Sequence, residues 1–118
     1  MITSNVIHKI EREDDGIHVF LEGELDLIAA PETRVAISEA CREHKPNILK
    51  IDLRNVNFID SAGLALLVLL YKSQLNTGEL ILDVGARTQP ERVLKLSHFD
   101  QFIKIRSFET PESVTPIS

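Results

Sequence analysis

The chain has 118 residues, 43% of them hydrophobic and 26% charged, the balance of a globular fold with one sizeable core and too little chain for two. Residues 1–118 are therefore expected to form one domain. Thirteen Lys and Arg stand against eighteen Asp and Glu, a net charge of −5, and the basic residues are scattered singly, as at Arg87, Arg92 and Lys95, which argues against direct nucleic-acid binding.

Val6 to Ile10 reads as a first strand. Glu11-Arg12-Glu13-Asp14-Asp15-Gly16 is a polar hairpin connection with Asp15-Gly16 its strongest turn signal. Ile17 to Leu21 alternates as a second strand, with Ile17, Val19 and Leu21 on one face, and Gly23 ends it. A helix follows to about His44. Pro31 suits its first turn, where the missing N–H has no helical partner, Glu32 favours the positive end of the helix dipole, and Pro46 lies just beyond the helix.

Ile48 to Leu53 reads as a central strand. Leu64, Leu66, Leu67, Val68, Leu69, Leu70 and Tyr71 make a helix so apolar that most of its circumference must be buried, and Gly78 stands where a left-handed residue would close it. Glu79 to Val84 alternates as another strand. Thr88-Gln89-Pro90-Glu91 is a capping box for a short helix carrying Val93, Leu94 and Leu96, and Phe102 to Ile105 is the last strand. Thr110 to Ser118 reads as loosely organised, with a C-terminal helix left open. An opening hairpin followed by alternating helices and strands predicts an α/β domain: a small mixed sheet, parallel after the hairpin, covered by helices mainly on one face.

Cys41 is the single cysteine, so no internal disulfide can form, which fits a reducing cytosol. Its helical spacing with Ala36, Ile37 and Ala40 makes it a small core residue. The N-terminal Met1-Ile2-Thr3-Ser4-Asn5 lacks the basic and apolar regions of a signal peptide. The apolar run from Leu64 to Tyr71 is far short of the ~20 residues that span a bilayer. A cytoplasmic protein without membrane insertion is the expectation. His8, His18, His44 and His98 are dispersed without metal-ligand spacing and read as surface or edge residues. Ser61 has no Gly-x-Ser-x-Gly setting, so neither a metal site, a cofactor nor catalysis is expected.

The informative segment is Asn57-Phe58-Ile59-Asp60-Ser61-Ala62-Gly63-Leu64, which joins the central strand to the apolar helix. Asp60 and Ser61 are N-cap candidates, and the small Ala62 and Gly63 in the first turn leave the surface about Ser61 open. An Asp-Ser pair before such a helix is commonly just a cap. That reading is compatible with a second, in which an exposed hydroxyl accepts a phosphate.

Asp60-Ser61-Ala62-Gly63-Leu64 resembles the Asp-Ser-Ser/Thr-Gly-Leu signature of STAS-domain anti-sigma factor antagonists. Gly23-Glu24-Leu25-Asp26 is similar to the Gly-Glu-Leu-Asp motif those proteins carry after their second strand. Leu94 to Ile103 is similar to their passage from an apolar helix to the last strand, and the element order agrees over nearly the whole chain. The resemblance implies that Ser61 is phosphorylated by an anti-sigma factor that is also a serine/threonine kinase. The unmodified protein would bind that kinase and free a sigma factor, and a serine phosphatase would restore binding. Gly23, Glu24, Asp26, Asp60, Ser61, Ala62, Gly63 and Leu64 would form the partner surface. Ala62 departs from the signature, removing a second hydroxyl and leaving the acceptor. Asp26 has two readings, a cap of the first helix or a contact to the kinase, and Glu24 is a surface contact or a solvated turn carboxylate. A STAS subunit of a transport system or signalling scaffold is the alternative. A response-regulator receiver is disfavoured because Asp14-Asp15 falls in a hairpin turn.

Overall fold

The structure, a computed structural model, describes residues 6–109. Five strands lie in the order β1-β2-β3-β4-β5: β1 Val6–Glu13, β2 Gly16–Leu25, β3 Ile48–Ile59, β4 Glu79–Gly85 and β5 Lys104–Phe108. β1 and β2 are antiparallel, and every later pairing is parallel. The crossovers carry α1 (Ala29–His44), α2 (Ser61–Gln74) and α3 (Gln89–Leu96), with a 3-10 turn at Phe99–Gln101 before β5. The mixed α/β sheet read from the sequence is the one observed. The expected looseness of Thr110–Ser118, and the question of a C-terminal helix, lie outside the described residues.

One face of the sheet carries Val19, Ile51 and Leu82, and these share a core with Ile37 of α1, Leu67 of α2 and Leu94 of α3. The opposite face is ionic. Lys9, Phe20, Asp52, Asp83 and Arg106 stand in one row across all five strands. Asp52 and Asp83 are buried, and each is gripped in bidentate fashion, Asp52 by Arg54 (2.8 and 3.0 Å) and Asp83 by Arg106 (2.7 and 2.9 Å). Burial would push the Asp52 carboxyl up, but its hydrogen bonds from the Arg54 guanidinium and N–H prevail and hold it below the usual range. Phe108 lies against both guanidinium groups.

Several boundaries differ from those read in the sequence. The hairpin pairs up to Glu13 and Gly16, leaving Asp14-Asp15 as a two-residue turn. β2 continues past Gly23 to Leu25, with register shifts between Phe20 and Glu22 and between Gly23 and Glu24. Gly23 has φ 112, a conformation that excludes most side chains. β3 runs on from Leu53 to Ile59, so Asn57-Phe58-Ile59 is strand rather than connection. The polar Arg54, Asn55 and Asn57 hid it by breaking the apolar run.

Gly78 does not close α2. The helix ends at Gln74, Gly78 has no positive φ, and its N–H reaches the Gln74 carbonyl through a turn. A Cβ there would overlap the Asn47 carbonyl, so close approach of backbone explains the residue. The last strand begins at Lys104, because Phe99 to Phe102 pack as a tight turn in which Phe102 meets Phe99 and Tyr71. The α2 circumference is only partly covered: Leu66, Leu67 and Leu70 are buried, whereas Leu69 is 46% exposed. Cys41 is half-buried, and burial pushes its thiol up. His8 and His98 are exposed, while His18 and His44 are half-buried.

Candidate functional site

The parallel pair β2–β3 ends at Leu25 and Ile59, side by side, and both chains leave the sheet there. The two sequence motifs, more than thirty residues apart, thereby become one surface. Asp60 is the N-cap of α2: its Oδ1 accepts the Ala62 N–H at 2.9 Å and the Gly63 N–H at 3.1 Å. Its Oδ2 accepts the Leu27 N–H at 3.0 Å, so one carboxylate holds both loops. Asp26 organises its own turn, with Oδ1 accepting the Ile28 and Ala29 N–H groups at 3.1 and 3.0 Å ahead of α1. Asp26 therefore fastens the region leading into α1, while the N-cap residue itself, Ile28, makes no side-chain cap. Pro31 sits in the first turn of α1, where no helical N–H is needed.

Ser61 is the first residue of α2, exposed, and its hydroxyl has no hydrogen-bond partner among the described residues. Ala62 and Leu64 are half-buried beside it. Gly63 is buried: a Cβ there would overlap the Leu25 carbonyl oxygen and crowd Ile59, so its smallness lets α2 close onto the end of β2. That is a different part from keeping the surface open. Gly23 and Glu24 are half-exposed on the last stretch of β2, where Glu24 faces Phe58 across the ladder.

Sequence reasoning missed four contributors. Leu27 (68% exposed), Ile28 (40%) and Phe58 (41%) are apolar side chains left in water around this corner. Two adjacent apolar residues directly after the polar turn at Asp26 were a readable signal; Phe58, hidden in an unrecognised strand, was not. The fourth is Gln89. β4 pairs with β3 only as far as Asp52, and at Ile59 the side chain of Gln89 takes the place of a neighbouring strand, accepting from the Ile59 N–H (2.8 Å) and donating to its carbonyl (3.0 Å). The capping box at Thr88 is half as expected: Thr88 accepts from the Glu91 N–H, but the Glu91 carboxylate turns to the Arg87 N–H and the Ser107 hydroxyl. These two bonds, the Ser107 one foremost, hold Glu91 below the usual carboxylate range.

No group of His, Cys, Asp and Glu among the described residues is arranged to hold a metal, and no described helix is long and apolar enough to cross a membrane.

Two loops are thus tied together at the carboxyl ends of paired parallel strands, with an exposed hydroxyl at the start of the helix that follows. The STAS domain family model matches residues 8–113, and the chain belongs to that family. Its relatives include the anti-sigma-B factor antagonist of Listeria monocytogenes, 32% identical over 100 residues that make up 84% of this chain and 86% of that protein. An anti-sigma factor antagonist from Mycobacterium paratuberculosis has a crystal structure that superposes with a TM-score of 0.77 at 26% identity, covering 86% of this chain and 85% of that one. The fold is also that of SpoIIAA. Its unphosphorylated form gives a TM-score of 0.67 at 21% identity over 91% and 93% of the two chains, and its phosphorylated form 0.66 at 20% over 92% and 96%. These relatives are named as regulators rather than enzymes.

Proposed function

We propose that this protein is a cytoplasmic anti-sigma factor antagonist of one STAS domain. In its unmodified form it binds an anti-sigma factor serine kinase and frees the sigma factor. Phosphorylation of Ser61 ends the binding, and a serine phosphatase restores it. The carrying observation is that the Ser61 hydroxyl is exposed and has no hydrogen-bond partner among the described residues, while the Asp60 side chain makes the helix cap. The fold does not use the group that the kinase modifies.

The partner surface comprises Gly23, Glu24, Asp26, Asp60, Ser61, Ala62 and Leu64 with Gly63 packed beneath, and Leu27, Ile28 and Phe58 supply its apolar area. Phosphorylation adds about −1.5 to −2 charges at neutral pH. A helix N-terminus accommodates an anion, so the domain keeps its fold. The phosphate must be desolvated when a partner closes over Leu27 and Ile28, and an added cost of about 3 kcal/mol weakens binding by roughly a hundredfold.

The test is incubation with the anti-sigma factor kinase and ATP, followed by mass spectrometry and a binding measurement. One phosphate on Ser61, absent from Ser61→Ala, with loss of kinase binding, is the expected result. No phosphate on Ser61, or a Ser61→Ala protein still inactivated by the kinase, overturns it.

A further inference from the structure

The chain is acidic, yet its unpaired positive charge is concentrated in one place. Arg34, Arg42, Lys45, Lys72, Arg92 and Lys104 are the cations without an ion-pair partner among the described residues; the other seven each face a carboxylate. Four of these six, Arg34, Arg42, Lys45 and Lys72, line the groove between α1 and α2. The groove is two adjoining hollows of about 240 and 340 Å³ that share Ser38 and Ser73, and a third hollow of about 190 Å³, lined by α1 alone, borders them at Arg34, Ser38 and Arg42. In sequence these cations are dispersed; the packing of α1 against α2 assembles them.

Helix dipoles favour cations in last turns, which suits Arg42 and Lys72, but Arg34 stands in the middle of α1 and has no such reason. The groove exposes the apolar Leu69 at 46%, and the adjoining α1 hollow exposes Val35 at 53% beside Glu39. Along α2, Ser61, Ala65 and Leu69 follow at four-residue spacing and are all exposed, a continuous stripe from the phosphorylation loop into the basic groove.

We propose that the α1–α2 groove is a second docking surface, and that it takes an acidic, partly apolar segment of the same anti-sigma factor that engages Ser61. Charge complementarity selects the occupant: four cations without an ion-pair partner among the described residues stand around the exposed Leu69, with Glu39 alone as a carboxylate among the lining residues, on a protein whose net charge would otherwise repel an acidic chain. This inference rests on the proposed function for the identity of the partner. It adds that long-range attraction comes from the groove, while the Ser61 corner decides whether the complex persists.

The test measures association of the anti-sigma factor kinase with wild type, with Arg34→Glu/Lys72→Glu, and with the neutral pair Arg34→Gln/Lys72→Gln. A control is Arg92→Glu/Lys104→Glu, the same charge change outside the groove. Thermal melts confirm that each variant is folded, and the glutamine pair serves if the reversal does not fold. The expected result is a fall of tenfold or more in association rate for the groove reversal and a smaller fall for the glutamine pair. The rate should also depend less on salt between ~50 and ~300 mM than in wild type, with little change in the control.

Equal loss in the control reduces the effect to net charge and overturns the groove, as does an unchanged rate in the reversal. Wild type that binds the kinase while the groove variants bind equally well refutes only this inference. Wild type that binds no anti-sigma factor refutes the proposed function and this inference together. Salt-sensitive dimerisation of wild type alone, or pelleting with phosphatidylglycerol vesicles, either one abolished by the groove reversal, assigns the groove to another occupant and overturns the proposal.

Discussion

The Asp60 carboxylate accepts the Leu27 N–H at 3.0 Å across thirty-three residues of sequence, while its other oxygen caps α2. Its three hydrogen bonds join the two loops that carry the family motifs. Asp60→Ala should lower stability by about 1 kcal/mol, the usual cost of a lost cap, and should weaken kinase binding further by freeing Leu27. Asp60→Asn, which can keep one acceptor oxygen but not two, should fall between. Urea denaturation and calorimetric titration on the same samples separate the two effects.

Leu27 is 68% exposed and contributes little to the core. Leu27→Ala should therefore leave the melting temperature within about a degree or two of wild type while weakening kinase binding roughly tenfold, ~1.4 kcal/mol. Unchanged affinity by isothermal titration would remove Leu27 from the interface.

At Gly63 the expectation is reversed, since a methyl group there must displace the Leu25 carbonyl or Ile59. Gly63→Ala should cost about 1–3 kcal/mol, seen as a lower denaturant midpoint, and the loss of binding should follow from loosening of the corner. Gln89→Ala should act in the same direction, because it strands the Ile59 N–H and carbonyl.

Stability should fall in acid. Asp52 and Glu91 are both held below the ordinary carboxylate range, so each takes up a proton less readily folded than unfolded. Their contribution is whole above the unfolded values, near ~4, and disappears as pH drops through the lower folded ones. Arg54→Met leaves Asp52 with burial that favours its neutral form, so the acid decline should begin at higher pH. Denaturation midpoints measured from neutral pH to ~3 would show the displacement.

The order of elements along the chain and the Asp60 cap were legible because each rests on local chemistry: alternation in Ile17 to Leu21 and Glu79 to Val84, and a short acceptor before an apolar helix. The second half of β3 was not. Its pairing to β2 survives two register shifts, and no apolar alternation marks Arg54 to Asn57. Gln89 acts through a backbone rung thirty residues away, and Arg34 and Lys72 become neighbours only when α1 lies on α2. Such roles are properties of tertiary contact and leave no local trace.

Asp60 and Ser61 divide what a single serine does at many helix starts. Because the aspartate terminates the helix, the neighbouring hydroxyl carries no architectural duty. Ser61→Ala and Ser61→Asp should therefore both melt within a few tenths of a kcal/mol of wild type. A position so indifferent to thermodynamics can drift freely unless something outside the molecule reads it.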